Sequence, residues 1–288
     1  MSDRTLVGDP PPHGEDEAFL GNDDALALVG GTDPTRGTRQ PGSRSMSVAV
    51  KARRYLGFPA VLALVCVAVG TYVARADLDD VERRLLTFDR IIDATLVHLQ
   101  LVGISTLAVI VLAVPLGILV TRPAATRLTP VVVALGNVGQ TVPSLGVIVL
   151  FAILFAPGFK GAVFALVVYA FLPILRNTIV GLQQIDPFLI ESARGMGMSN
   201  GTVLRSIELP LAVPVILAGV RTAAVINVGT ATIGAFTNAG GLGGIIFGGI
   251  VQSRTPVIVV GSILTAVLAL LLDHVLGVVE EVLRPRGL

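Results

Sequence analysis

Six apolar runs divide the chain, at residues 55–73, 95–120, 131–155, 162–180, 213–233 and 257–279, each bounded by short polar or charged stretches. The shortest is 19 residues, enough for an α-helix to cross a hydrocarbon core of roughly 30 Å. None alternates apolar and polar positions with period two, so the strands of a membrane barrel are excluded. The pattern predicts an all-α polytopic membrane protein with about six transmembrane helices. Lys51, Arg53 and Arg54 precede the first run, Arg122 and Arg127 follow the second, and Arg284 and Arg286 follow the last. Basic residues stay on the cytoplasmic side, so both termini are expected there. The segment 75–93 then lies outside, although its Arg75, Arg83, Arg84 and Arg90 run against that trend. Ala74-Arg75-Ala76 imitates a signal-peptidase site, but the long run before it reads as an uncleaved anchor.

Composition sharpens this picture only at the front of the chain. Overall, 53% of residues are hydrophobic and 14% charged, far from the balance of a soluble domain. A net charge of +1 gives no reason to expect nucleic acid, and the single Cys66 allows neither a disulfide nor a cysteine metal cluster. Residues 1–45 are instead rich in Gly, Pro, Asp, Thr and Arg, and such a segment buries too little apolar surface to offset the cost of ordering its backbone. The expected organisation is a disordered cytoplasmic tail over 1–46, an extra N-terminal transmembrane helix with its external segment over 47–93, and a transmembrane domain over 94–288.

One long stretch between the spans reads as water-exposed helix and turn, residues 186–210. Asp186 is placed to cap a helix opened by Pro187, where the missing N–H costs nothing. Ala193 and Gly197 lie one turn apart and predict a helix face with almost no bulk, beside a Glu191–Arg194 pair. Gly195, Gly197 and Gly201 interrupt the helix, Ser199 caps a second short one, and Pro210 is expected to stop it. Glu191, Ser192, Ala193, Gly197, Ile207, Leu209 and Pro210 together resemble the cytoplasmic "EAA" loop of permease subunits of ABC importers, with Ser192 replacing the family's middle alanine.

Inside the spans the polar positions are few. His98, Gln100, Arg176, Asp273 and His274 sit near span ends, and Arg221 lies two turns into the fifth run, within reach of the cytoplasm by snorkelling. These charges read as end-placed or paired between helices rather than as a proton relay. The third run carries Gly136-Asn137-Val138-Gly139-Gln140-Thr141-Val142-Pro143-Ser144-Leu145-Gly146 at mid-membrane. Its amides, hydroxyls and freed carbonyls must face protein or water, as a pathway lining or a packing seam. Residues 234–244 are glycine-rich without a phosphate-binding lysine, and read as a packed outer turn or short re-entrant element.

Further blocks are similar to the permeases of osmoprotectant importers, which carry glycine betaine, carnitine, choline and related quaternary amines. They are residues 98–105, 115–119, 140–145, 172–178, 229–232 and 239–243. The resemblance implies a MetI-like type I importer permease fold in a bacterial plasma (inner) membrane. It also implies cytoplasmic ABC ATPase subunits, a second permease subunit and an external substrate-binding protein. Glu191, Ser192, Ala193, Arg194, Gly197, Ile207, Leu209 and Pro210 would couple to the ATPase, and Gln140, Thr141, Pro143, Ser144 and Asn227 would line the path. No cofactor is expected on this chain, because Lys51 and Lys160 lack the glycine spacing of a nucleotide loop and ATP belongs to the partner. With no tryptophan and three tyrosines, selective capture is expected in the binding protein rather than in an aromatic cage here. The alternatives are an importer permease for another small polar solute such as an amino acid, and an ion-coupled carrier. The latter needs intramembrane charge pairs and usually an internal repeat, and neither is visible in the sequence.

Overall fold

A computed structural model describes residues 48–284, and the expected tail over 1–46 and the terminal Arg286 lie outside them. Eleven α-helices follow one another, and no strand occurs among the described residues. Helix α1 (Val48–Arg75) is followed by the short α2 (Asp80–Leu85) and by α3 (Phe88–Val120). Then come α4 (Thr129–Thr141), α5 (Ser144–Phe155), α6 (Phe159–Gln183), α7 (Pro187–Gly195) and α8 (Asn200–Val203). The chain closes with α9 (Leu209–Ile233), α10 (Leu242–Val251) and α11 (Thr255–Leu283). Five helical stretches are long and apolar enough to cross a membrane, and α4 with α5 makes a sixth if the bent pair is counted as one span. The expected all-helical polytopic architecture is therefore present.

Helices α3, α6 and α9 form the core. Leu101, Val109 and Ala113 of α3 meet Leu166, Ile174 and Leu175 of α6 and Ala223 and Val228 of α9, all buried. Lipid tails are as apolar as these side chains, so the helices associate through close packing rather than through hydrophobic expulsion. Small residues set the approach: a Cβ on Gly117 would fall 2.7 Å from Thr178, and one on Gly219 would fall 2.6 Å from Asn177. Leucines, isoleucines and valines such as Leu64, Leu107 and Ile153 remain exposed around the outside, as a bilayer requires.

Two expectations are corrected. The third run is not one continuous span: α4 and α5 meet at a 96° bend across Val142-Pro143. Pro210 does not stop a helix. The chain runs helically from Asn200 to Thr237, widening into a π-helical turn over Leu204–Glu208, where the Leu209 N–H reaches back to the Leu204 carbonyl. That wider turn accommodates a proline that has no N–H and whose ring collides with the carbonyl four residues back in an α-helix. The segment 75–93 is also largely helical. Asp79 and Glu82 close a capping box on α2, with Asp79 Oδ1 accepting from the Glu82 N–H at 2.8 Å. The arginines there are partly tied down, Arg83 Nε donating to the Leu78 carbonyl at 2.8 Å. Arg254, just ahead of α11, pairs with Asp79 at 2.7 Å.

Candidate coupling loop and translocation path

The loop between α6 and α9 folds as two short helices with the caps its residues predict. Asp186 Oδ1 accepts from the Phe188 N–H at 2.9 Å, and Ser199 Oγ accepts from the Thr202 N–H at 3.3 Å. Gly197 ends α7 with φ +86. The Met198 N–H bonds to the Ala193 carbonyl and the Gly197 N–H to that of Arg194, the paired closure for which glycine is favoured. The bulk-free outer face is corrected. Ala193 is 0% exposed and turned into the chain itself, while Gly197 is exposed with no atom within 4 Å of a Cβ placed on it. Glu191, Ser192 and Arg194 are exposed, and Glu191 and Arg194 make no ion pair with each other.

What α7 presents outward is bulky and apolar. Phe188 is 72% exposed, Leu189 47% and Met196 76%. Exposed apolar patches of this kind are characteristic of protein or membrane contact surfaces. In the sequence these residues look like ordinary members of an amphipathic helix. No local signal marks them, because only the burial of Ala193 in the folded chain turns the opposite face outward.

The root of the loop is held by a second feature missed in the sequence. Glu208 is 4% exposed and receives Arg122 of the α3 end in two bonds, at 2.6 and 3.2 Å. Arg122 Nε also donates to the Ile118 carbonyl at 3.2 Å, so the guanidinium is fixed on α3 before it reaches Glu208. Ile207 and Leu209 flank Glu208 and are half-buried, and Pro210 is exposed.

The bend between α4 and α5 is closed by α6 through a reciprocal pair of bonds. Pro173 has no N–H, which frees the Tyr169 carbonyl four residues earlier, and Gln140 Nε2 donates to it at 2.9 Å. Tyr169 Oη in turn donates to the Val142 carbonyl at the break. The same device seats α1, where Pro59 frees the Tyr55 carbonyl and His274 Nε2 of α11 takes it at 3.0 Å. Tyr169→Phe and Gln140→Leu are each expected to insert normally and to melt about 2–4 °C lower in detergent, for ~1 kcal/mol lost per intramembrane bond. Unchanged melting of both variants would show that these bonds do not hold the bend.

The expected path residues are not all brought together. Gln140, Thr141 and Pro143 lie exposed and Ser144 half-buried at the bend, whereas Gly136 and Gly139 pack on Leu172 and Val168 of α6. The third run is thus a packing seam on its glycine side. Asn227 is 0% exposed in the α3–α9 seam, where its Nδ2 donates to Ser105 Oγ at 3.0 Å and Thr106 Oγ1 at 3.2 Å. Arg221 is tied to a neighbouring helix. It pairs with Asp273 of α11, Nη2 to Oδ2 at 2.6 Å, with Glu280 at 3.9 Å. The reading as charges paired between helices holds, and the supposed lack of an intramembrane charge pair is corrected.

A family model described as "Binding-protein-dependent transport system inner membrane component" matches residues 113–286. The carnitine transport permease protein OpuCD of Listeria monocytogenes is 41% identical over 189 residues, 65% of this chain and 84% of that protein. The glycine betaine/carnitine/choline transport system permease protein OpuCB of Bacillus subtilis is 38% identical, over 66% of this chain and 87% of that protein. The osmoprotectant import permease protein OsmY of Salmonella typhimurium is 41% identical, over 62% and 76%. Among solved structures, an inward-facing MetNI methionine ABC transporter matches with a TM-score of 0.63 at 24% identity, over 72% of this chain and 100% of that one, which bears on the fold alone. With more than half of its length inside the family model, the chain belongs to the inner membrane components of binding-protein-dependent transport systems and is a permease subunit of an ABC importer.

Proposed function

We propose that the chain forms part of the membrane path of an ATP-driven importer for quaternary-amine osmoprotectants of the glycine betaine, carnitine and choline class. The observation that carries this reading is the coincidence of two features. One is about 40% identity to permeases of that name over most of their length. The other is a two-helix loop that exposes Phe188, Leu189 and Met196 next to the Glu191–Pro210 pattern. In this reading the protein sits in a bacterial plasma membrane with both termini and the loop in the cytoplasm. It works with a second permease subunit, two ATPase subunits that bind the ATP, and an external substrate-binding protein.

The mechanism is alternating access. Closure of the ATPases on ATP displaces α7, seated on their surface by Phe188, Leu189 and Met196 and steered by Glu191 and Arg194. Ser192, Ala193 and Gly197 shape the helix, and Ile207, Leu209 and Pro210 join it to α9. Motion at this root rocks α6 and α9 and opens the path on one side at a time. Gln140, Thr141, Pro143 and Ser144 at the bend lie where the path would run, and Asn227 acts from behind it by holding α3 to α9.

The test is reconstitution of the permease with its ATPase and binding protein in vesicles. ATP-dependent accumulation of glycine betaine, carnitine or choline is expected only when all three components are present. Accumulation of an amino acid in place of any quaternary amine would overturn the solute class while leaving the transport type standing. Uptake driven by an ion gradient without ATP would overturn the coupling.

A further inference from the structure

At the end of the bundle opposite the loop, α3, the 234–241 turn and α10 border an open cavity of about 520 Å³ lined by Arg90, Asp93, Phe236, Asn238, Gly241 and Phe247, among others. Its volume lies in the range of small-molecule sites, roughly 300–1,000 Å³. Arg90 and Asp93 stand three residues apart on α3, a spacing at which opposite charges on a helix usually pair. Here neither has a hydrogen-bond or ion-pair partner among the described residues. Both side chains line the cavity without pairing to each other.

Across from them Phe236 and Phe247 are tilted against each other, centroids 4.8 Å apart at 58°, and Phe236 is 54% exposed. Behind the cavity wall, under Gly241, lies a buried imidazole that does not itself line the cavity. His98 is 0% exposed, and its Nε2 lies 3.0 Å from the Val228 carbonyl. A carbonyl only accepts, so Nε2 carries the proton and Nδ1 of the neutral ring is an acceptor. That Nδ1 is buried with no partner. It lies 2.9 Å from where a Cβ on Gly241 would sit. Any side chain at position 241 would cover it. An unpaired acceptor therefore faces the glycine turn that lines the cavity.

A quaternary ammonium has no N–H to donate and carries a soft, diffuse positive charge. Aromatic faces with a carboxylate nearby recognise it, and a guanidinium recognises the carboxylate of a zwitterion. We propose that this cavity is a receiving site for small quaternary amines, with Asp93 and the Phe236–Phe247 pair taking the ammonium and Arg90 the carboxylate. The inference rests on the solute class and orientation proposed above, under which the cavity faces the binding protein. Two phenyl rings form an open platform rather than a closed cage, which suits a site that must release its solute quickly.

The experiment uses the complete transporter in vesicles and reads solute moved per ATP hydrolysed, with glycine betaine and choline as probes. Asp93→Asn and Phe236→Leu alter exposed positions, and each is expected to lower that ratio about fivefold for both probes, with Asp93→Glu restoring most of it. Arg90→Gln is expected to lower glycine betaine uptake several times more than that of choline, which has no carboxylate. A ratio that stays at the wild-type value overturns the site, including the case in which uptake and ATP hydrolysis fall together because the binding protein no longer docks. Equal losses of both probes in Arg90→Gln overturn the assignment of the carboxylate end. A wild-type transporter that moves no quaternary amine overturns the solute class itself and the site with it, whereas wild-type import with unaffected variants overturns the site alone.

Discussion

Phe188→Asp and Met196→Asp are each expected to give a protein that reaches the membrane at normal abundance but no longer supports uptake or solute-stimulated ATP hydrolysis. Phe188 and Met196 are 72% and 76% exposed, so neither contributes to the fold of the free chain. Buried in a partner's groove, an aromatic or thioether anchor of this kind is worth about 2 kcal/mol or more, a loss of roughly thirtyfold in association. A carboxylate in the same groove adds an unpaired charge. Gly197 serves as the contrast. Its surroundings are empty but its φ is +86, so Gly197→Ala and Gly197→Leu should be impaired alike, by the ~1–2 kcal/mol of a left-handed residue with a Cβ. Co-purification of the ATPase with each variant is the measurement. Undiminished recovery with Phe188→Asp and Met196→Asp would remove α7 from the contact.

The second large effect is expected at Arg122. Arg122→Ala leaves Glu208, 4% exposed, as a buried carboxylate without a counter-charge. Stranding a buried charge costs about 3–5 kcal/mol. The partial exposure of the arginine, 31% of its side chain, lowers the expectation to about 2–3 kcal/mol, or a melting point reduced by roughly 5–10 °C. Arg122→Ala combined with Glu208→Ala should recover most of that loss, because no charge is then stranded. Arg122→Lys should recover little, since an ammonium does not reproduce the two-pronged contact. A double variant as unstable as the single one would mean that the guanidinium acts by packing alone.

Much of the helical order was legible because it is local. The apolar runs mark α3, α6, α9 and α11, and Asp186 and Ser199 cap the two loop helices as their chemistry demands. The rest depends on partners remote in sequence. Pro59, Pro115, Pro173 and Pro214 all lie inside continuous helices, whereas Pro143 stands at a 96° break. Nothing in the immediate sequence separates these cases. What distinguishes Pro143 is Tyr169, whose hydroxyl takes the carbonyl of Val142, 27 residues earlier, at the break. Arg221 and Asp273 are 52 residues apart and Arg122 and Glu208 are 86 apart, so neither pair leaves a local trace. The orientation of Ala193 leaves no local trace for a related reason. A small residue on a short helix fits an outward groove and an inward one equally well, and only the position of α7 against the bundle decides.

The unbroken helical run from Asn200 to Thr237 has a mechanical consequence. At 38 residues and 1.5 Å per residue it is about 57 Å long, nearly twice the thickness of the hydrocarbon core, and it begins inside the loop. Arg122 grips it at Glu208, close to one end, and so acts as a fulcrum. A tilt of about 5° around that point would carry the far end, where the glycine turn and His98 lie, through roughly 4 Å. A displacement of about 1 Å at the loop end of the run, near Asn200, would therefore become a solute-sized opening at the other face, through leverage alone.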